Sequence, residues 1–250
     1  MVTLKQIGIR EKLSDLGSPV EDTMLGDFDI IGEHTAKKLR GRDNPLYKTV
    51  GCVFRPNYER GLLAAAMVKK YKPKKILEIG FGRGYWSTCV AKTLHDLNIP
   101  GEITSVDVQF NKQHIEMMSN SFPHEWLSKI KMVQGRSVDI LPQLEEDFDL
   151  VYIDGDHTYA AVKSDWQNVK DHFKQFVIFD DYHLPTSPEQ QEIQVARAVD
   201  EITDEYTREL IIMDREIFMD DRKLMSKDYG QMIVRHPDFV DPEDPYDYNW

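Results

Sequence analysis

Two short segments carry the residues best suited to reaction chemistry: Tyr152-Ile153-Asp154-Gly155-Asp156-His157 and Ile178-Phe179-Asp180-Asp181-Tyr182-His183. Each starts in an apolar run, as a buried parallel strand does, and ends in carboxylates. Acids gathered at neighbouring strand ends repel one another unless protons or a cation intervene. Oxygen-rich groups of this kind suit a hard divalent ion such as Mg2+, which takes few protein ligands and keeps several waters. A histidine beside them can accept a proton near neutral pH, so His157 is a candidate general base. Acids at strand ends also serve as helix caps, and Asp156 is read as one. His183 suits either a further ligand or polar surface, and surface is the preferred reading.

A third segment, Ile76-Leu77-Glu78-Ile79-Gly80-Phe81-Gly82-Arg83-Gly84-Tyr85-Trp86-Ser87, suits binding more than reaction. An apolar strand ends beside a glutamate, glycines follow at every second position, and a helix then begins. That order describes a turn whose backbone approaches a ligand closely. The dinucleotide fingerprint G-x-G-x-x-G places two residues before its last glycine, with an acid about 20 positions on. Here the spacing is E-x-G-x-G-x-G. A glutamate ending a buried strand also needs a partner, because an unpaired charge there is costly.

These segments require a frame that brings them to one place. From about Lys74 onward strands and helices alternate, the pattern of a parallel sheet covered by helices on both faces. Strands are predicted over residues 76–79, 103–107, 130–135, 148–154 and 176–180, and helices over 85–97, 112–120, 138–144, 159–173 and 190–202. The alternation then stops. Two β-like runs, 209–219 and 231–235, are separated only by a charged loop, which predicts an antiparallel hairpin at the sheet edge. Ligands of open α/β sheets bind at the carboxyl ends of the strands, so all three segments are expected to line one cleft. Residues 1–70, with a clear helical stretch over 58–71, are expected to form a cap or lid before a main domain of residues 71–236. Residues 237–250 are rich in Asp and Pro and read as a solvated tail, although Tyr246, Tyr248 and Trp250 would suit a docking peptide.

The E-x-G-x-G-x-G segment resembles motif I of the class I methyltransferases that use S-adenosylmethionine (AdoMet), and the closing hairpin is similar to theirs. The resemblance implies a Rossmann-like class I methyltransferase fold: a seven-stranded, mostly parallel sheet with a C-terminal antiparallel hairpin and helices on both faces. It implies that Gly80, Gly82 and Gly84 pass beneath the methionine part and ribose of AdoMet, and that Glu78 organises the loop amides and the ligand's ammonium group. Asp107 and Val108 would meet the ribose, where two carboxylate oxygens can accept both hydroxyls. Arg136 and Ser137 fall where such enzymes place adenine contacts, although Ser137 equally suits a helix N-cap. Tyr85 and Trp86 either flank the cofactor or belong to the core.

The I-D-G-D-x-x-Y and D-D-Y segments resemble metal-dependent O-methyltransferases of the catechol and macrocin types, closest to the sugar and antibiotic-tailoring branch. By position, Asp154, Asp180 and Asp181 would hold the metal. Asp154 would also border the cofactor and form the catalytic pair with His157, which stands where the catechol type has a lysine base. The implied reaction is Mg2+-assisted transfer of a methyl group to a hydroxyl of a small molecule, a sugar or glycosylated metabolite. A metal-free N-methyltransferase and a silent AdoMet-binding protein are the alternatives.

The remaining features bound this reading. A chain of 250 residues, 41% hydrophobic and 30% charged, fits one α/β domain with additions. A net charge of −12 disfavours nucleic acid as a partner. The amino-type nucleic-acid methyltransferases carry [DN]-P-P-[YF] after the fourth strand, and Asn44-Pro45-Leu46-Tyr47 reads only as a turn. No apolar run is long enough to span a bilayer and no signal-type segment opens the chain, so a cytoplasmic protein without membrane partner is expected. Cys52 and Cys89 form no disulfide framework. A homo-oligomer is compatible with these features.

Overall fold

In the computed structural model, the described residues are 4–20, 30–31, 58–183, 194–213 and 229–242. Strand β1 (Leu4–Gly8) and helix α1 (Ile9–Asp15) are followed by α2 (Tyr58–Tyr71), β2 (Lys75–Ile79), α3 (Tyr85–Asp96) and β3 (Glu102–Asp107). Next come α4 (Lys112–Ser121), α5 (His124–Leu127), β4 (Ile130–Gln134), α6 (Ser137–Ile140) and β5 (Phe148–Ile153). The chain continues through α7 (Tyr159–Val169), β6 (Phe173–His183), α8 (Val195–Ile202), β7 (Thr207–Ile212) and β8 (Tyr229–Arg235).

The strands form one sheet in the order β1-β7-β8-β6-β5-β2-β3-β4. All neighbours are parallel except β8, which runs antiparallel to both β6 and β7. Among the described residues the sheet has eight strands rather than the expected seven. The additional one, β1, lies parallel to β7 from Leu4↔Arg208 to Gly8↔Ile212. Only Ile7 of β1 is buried, so no alternation marks it as a strand; main-chain pairing with β7 decides its conformation. The expected run 209–219 enters the fold as Thr207–Ile212, with residues 214–219 outside the described ones. Likewise α8 is described from Val195, and the 190–193 part of its predicted helix lies outside. Of the tail, Phe239 packs against Tyr71 and Phe176, with ring centroids 5.8 and 5.1 Å apart. Tyr246, Tyr248 and Trp250 lie outside the described residues, as do the 44–47 turn and Cys52.

Strand periodicity sorts the core into two layers. Ile76, Leu150, Tyr152, Phe176 and Ile178 face the side covered by α2 and α3, with Leu63, Met67, Trp86 and Val90. Leu77, Ile79, Val151, Ile153, Val177 and Phe179 face the other side, against Val162, Trp166 and Val199 of α7 and α8. By the same alternation Glu78 and Asp180 share a face with Tyr152, beneath α2 and α3. Among the described residues no helix is long and apolar enough to cross a membrane.

The direction of sheet growth reverses between β2 and β5, and the turns after these two strands meet there. The Asp154 amide donates to the Ile79 carbonyl at 2.8 Å. Gly80 has φ +88°, and a Cβ on it would lie 2.1 Å from the Asp154 carbonyl oxygen. Gly80→Ala is therefore expected to lower stability by about 2–4 kcal/mol, from the left-handed backbone and the clash together. Gly8→Ala, whose added carbon meets nothing within 4 Å, should change the unfolding free energy little. Urea unfolding of the two variants checks the contrast.

Candidate active site

The glycine loop leaves β2 with Gly80, Gly82 and Gly84 all at positive φ, and Gly84 opens α3. The outer side of this loop is free: a Cβ on Gly82 would meet no atom within 4 Å. Asp107, at the end of β3, holds the loop from the neighbouring strand. Its Oδ2 accepts from the Gly82 amide at 2.9 Å and its Oδ1 from the Gln109 amide at 2.7 Å. An open backbone cradle beside a carboxylate fits the amino-acid and ribose parts of AdoMet. Val108 is exposed at the rim, where its carbonyl accepts from the Gln134 side chain. Ser137 begins α6. Arg136 is turned along that helix, paired with Asp139 at 2.7 Å, and does not point into the cleft. Trp86 is a core residue, stacked on Tyr152 with centroids 4.3 Å apart and planes 5° apart.

Glu78 does not reach into the cleft. It is buried beneath the loop, and its Oε2 accepts hydroxyl hydrogen bonds from Ser87 of α3 and Ser105 of β3, the latter at 2.6 Å. It thus organises the loop from below by tying the helix start to two strands. Burial pushes its carboxyl up to about 8; the two hydroxyls pull it down, and the charges of Asp154 and Asp107 push it further up.

The acidic segments converge through a bulge in β6. That strand runs on to His183, so Asp180 and Asp181 lie within it, and its register against β8 shifts between Phe179 and Tyr182. Asp181 takes φ +50°. Successive strand residues ordinarily face opposite sides; this kink brings both carboxylates onto one arginine. Arg60, from the first turns of α2, places one guanidinium nitrogen 2.9 Å from Asp180 Oδ2 and the other 2.7 Å from Asp181 Oδ1.

The two acids then part company. Asp180 is enclosed: Tyr152 Oη donates to its Oδ2 at 2.7 Å and Gln231 Nε2 to its Oδ1 at 3.0 Å. Burial drives its proton affinity well up, against the pull of Arg60. Asp181 is also pushed up by burial, but Arg60, His157 and His183 together bring it below its ordinary value. Its Oδ2 lies 3.3 Å from His157 Nε2, which is 3.3 Å from Asp154 Oδ1. The hydrogen bond to Asp154 raises His157, burial lowers it, and Asp181 raises it again. The potential ligand atoms of Asp154, His157 and Asp181 lie within 4.8 Å of one another.

Of the expected metal set, Asp154 and Asp181 face one another across His157, and Asp180 lies deeper. Asp180 is engaged by Arg60, Tyr152 and Gln231, while His157 lies beside the other two. His183 is buried, not on the surface. Asp156 accepts from the Thr158 amide at 2.9 Å and leads into α7, as a cap-forming acid does. Arg60 and Gln231 were not among the sequence candidates. Gln231 lies on β8, whose neighbour Met232 is core, and its inward position follows from strand parity.

Residues 77–182 match the family model described as a methyltransferase domain. No curated protein sequence matches the chain significantly. Among solved structures, the O-methyltransferase TomG from Streptomyces achromogenes, involved in tomaymycin synthesis and bound to AdoMet, is similar. It has a TM-score of 0.56 and 17% identity over 91% of this chain and 95% of that one. An O-methyltransferase from Bacillus cereus, in complex with S-adenosylhomocysteine, has a TM-score of 0.53 and 18% identity over 91% and 97%. CalS11, a TDP-rhamnose 3'-O-methyltransferase of calicheamicin biosynthesis, has a TM-score of 0.50 and 15% identity over 88% and 97%. The fold is that of the class I methyltransferases, and residues 77–182 carry the match to a methyltransferase domain.

Two outcomes follow from the buried charges. Unfolded, Glu78 ionises near 4.5, whereas folded it does so at about 8. The stability due to its neutral carboxyl is therefore full below about pH 4.5 and is lost as pH rises to about 8. Glu78→Gln should gain on the wild type between about pH 5 and about pH 8 in urea unfolding, because its amide stays neutral. Arg60→Ala leaves Asp180 and Asp181 without their shared cation and should lower stability by about 3–5 kcal/mol. Adding Asp180→Asn should restore part of that loss in a double-mutant cycle.

Proposed function

We propose that this methyltransferase domain transfers the methyl group of AdoMet to a hydroxyl oxygen of a small molecule, assisted by a divalent cation such as Mg2+. The carrying observation is the convergence of Asp154, His157 and Asp181 beside the glycine loop. Two carboxylate oxygens and one imidazole nitrogen, each facing the other two, form a donor set suited to a divalent ion. Arg60 binds Asp181 through Oδ1, which leaves Oδ2 for the cleft. It also supplies only one positive charge against three carboxylates. The hydrogen bond to Asp154 and the charge of Asp181 raise the proton affinity of His157, and a cation would take the place of that proton.

When bound, AdoMet supplies an electrophilic methyl group, and the cation lowers the pKa of an acceptor hydroxyl. The chain's own residues position these parts. The glycine loop and Asp107 hold the donor side, and Asp154, His157 and Asp181 hold the acceptor side. Relation to the sugar and antibiotic-tailoring enzymes rests on the I-D-G-D-x-x-Y and D-D-Y segments and agrees with the named activity of CalS11. We therefore assign the acceptor as a hydroxylated metabolite, sugars included, encountered in the cytoplasm. Nucleic acid is disfavoured by the charge of −12.

A second reading is favoured by the His157–Asp154 contact. Without a metal, His157 is the general base and Asp154 its orienting partner. Chelation separates the two. On the first reading EDTA, or Asp181→Ala, lowers transfer by about 100-fold or more, Mg2+ restores the chelated enzyme, and AdoMet affinity measured by calorimetry is nearly unchanged. Full turnover in chelator, lost in His157→Ala, would select the second reading.

A further inference from the structure

His157 is the least enclosed member of the acceptor side: its side chain is 33% exposed, against 26% for Asp154 and 18% for Asp181. An imidazole so open is not fixed by packing, yet its Nε2 stands 3.3 Å from each of the two acids. The backbone that carries it must therefore be held. Gln194, the residue before α8, holds it at two points on either side of Thr158. Its amide donates to the His157 carbonyl at 3.0 Å, and its Oε1 accepts from the Tyr159 amide at 3.1 Å. Tyr159 opens α7, and the first amides of a helix have no partner inside it. Glutamine is not among the preferred N-cap residues, and the Gln194 side chain makes no capping bond to α8. It serves instead the turn that bears His157.

The rest of α8 keeps this clip in register. Arg197 and Glu201 follow Gln194 at three and seven positions, which places all three on one face of the helix. The Arg197 guanidinium lies over the Tyr159 ring, 4.7 Å from its centroid, and the Tyr159 hydroxyl donates to Glu201. Val195, Ala196, Ala198 and Val199 are buried and anchor α8 in the core. The helix thus grips Tyr159 at its amide, its ring and its hydroxyl. We propose that Gln194 is a positioning residue of the acceptor side: its paired bonds to the His157 carbonyl and the Tyr159 amide hold the imidazole between Asp154 and Asp181. The inference rests on the reading of those three side chains as the acceptor side, and it holds whether His157 ligates a cation or accepts a proton. Removing a group that orients a ligating histidine typically weakens metal binding by roughly 10–100-fold.

Gln194→Leu removes the acceptor oxygen with little change of size, whereas Gln194→Glu keeps an oxygen at the same place. Proton–nitrogen correlation spectra of the histidine rings in the whole chain, with His157 assigned through His157→Asn, report how the imidazole is held. The wild type and Gln194→Glu should share the His157 signals, and Gln194→Leu should shift or broaden them. Mn2+ titration, followed by the electron paramagnetic resonance of the free ion, should show about 10-fold weaker binding in Gln194→Leu and binding within about threefold of the wild type in Gln194→Glu. The affinity for S-adenosylhomocysteine, measured by calorimetry, should stay unchanged in both variants. Wild-type ring signals and Mn2+ affinity in Gln194→Leu would overturn the inference. Equal losses in the two variants would overturn it as well, because packing would then be the cause. A wild type that binds no Mn2+ would remove the metal reading alone, and the ring signals would decide the role of Gln194.

Discussion

Negative charge out of reach of water must be answered nearby, and among the described residues the Arg60 guanidinium answers two acids at one end of the sheet. Arg60 reaches from a helix that precedes the glycine loop to two acids far along the chain. Because Asp180 is closed in by Tyr152 and Gln231, the arginine is fixed on one side by a buried hydrogen-bond network. Tyr152 is in turn fixed by its stack on Trp86, which belongs to the helix that the glycine loop initiates. The acceptor side and the donor side are thus joined by a continuous set of contacts: Arg60, Asp180, Tyr152, Trp86, loop. A substitution anywhere in this set acts on both halves of the cleft.

The sheet topology makes that arrangement available. Where strand order reverses, no crossover helix covers the gap between β2 and β5, and the turns that follow them are free to meet. The β6 bulge then adds what regular alternation would forbid. With ideal pleating Asp181 would face α7 and α8; at φ +50° its carboxylate joins Arg60 and His157. Non-glycine residues rarely adopt such a backbone, and the ion pair with Arg60 stabilises it here.

Much of this is legible in the sequence. The glycine spacing, the five apolar runs and the closing antiparallel pair all lie on local patterns, and local patterns survive folding when they agree with one another. Strand parity even places Glu78, Tyr152 and Asp180 on one face, which explains why Glu78 meets serines rather than ligand. What stayed hidden depends on long-range pairing. Arg60 meets Asp181 across 121 positions, and nothing within its own helix marks it from other exposed-looking arginines. His183 looks like surface until the bulge and the pairing with β8 enclose it. Asp165 belongs to the helix expected over 159–173, and only the folded chain shows it buried there.

The first strand sets a condition on how the protein comes into being. β1 joins the sheet only beside β7, and Lys12 of the following helix pairs with Glu209 of that same strand. Leu4 pairs with Arg208, so β1 stays without its partner until β7 has formed. Closing so large a loop carries an entropic penalty and delays the final step. Once seated, β1 covers the outer edge of β7 and replaces it with a shorter edge of its own, five residues long and mostly exposed.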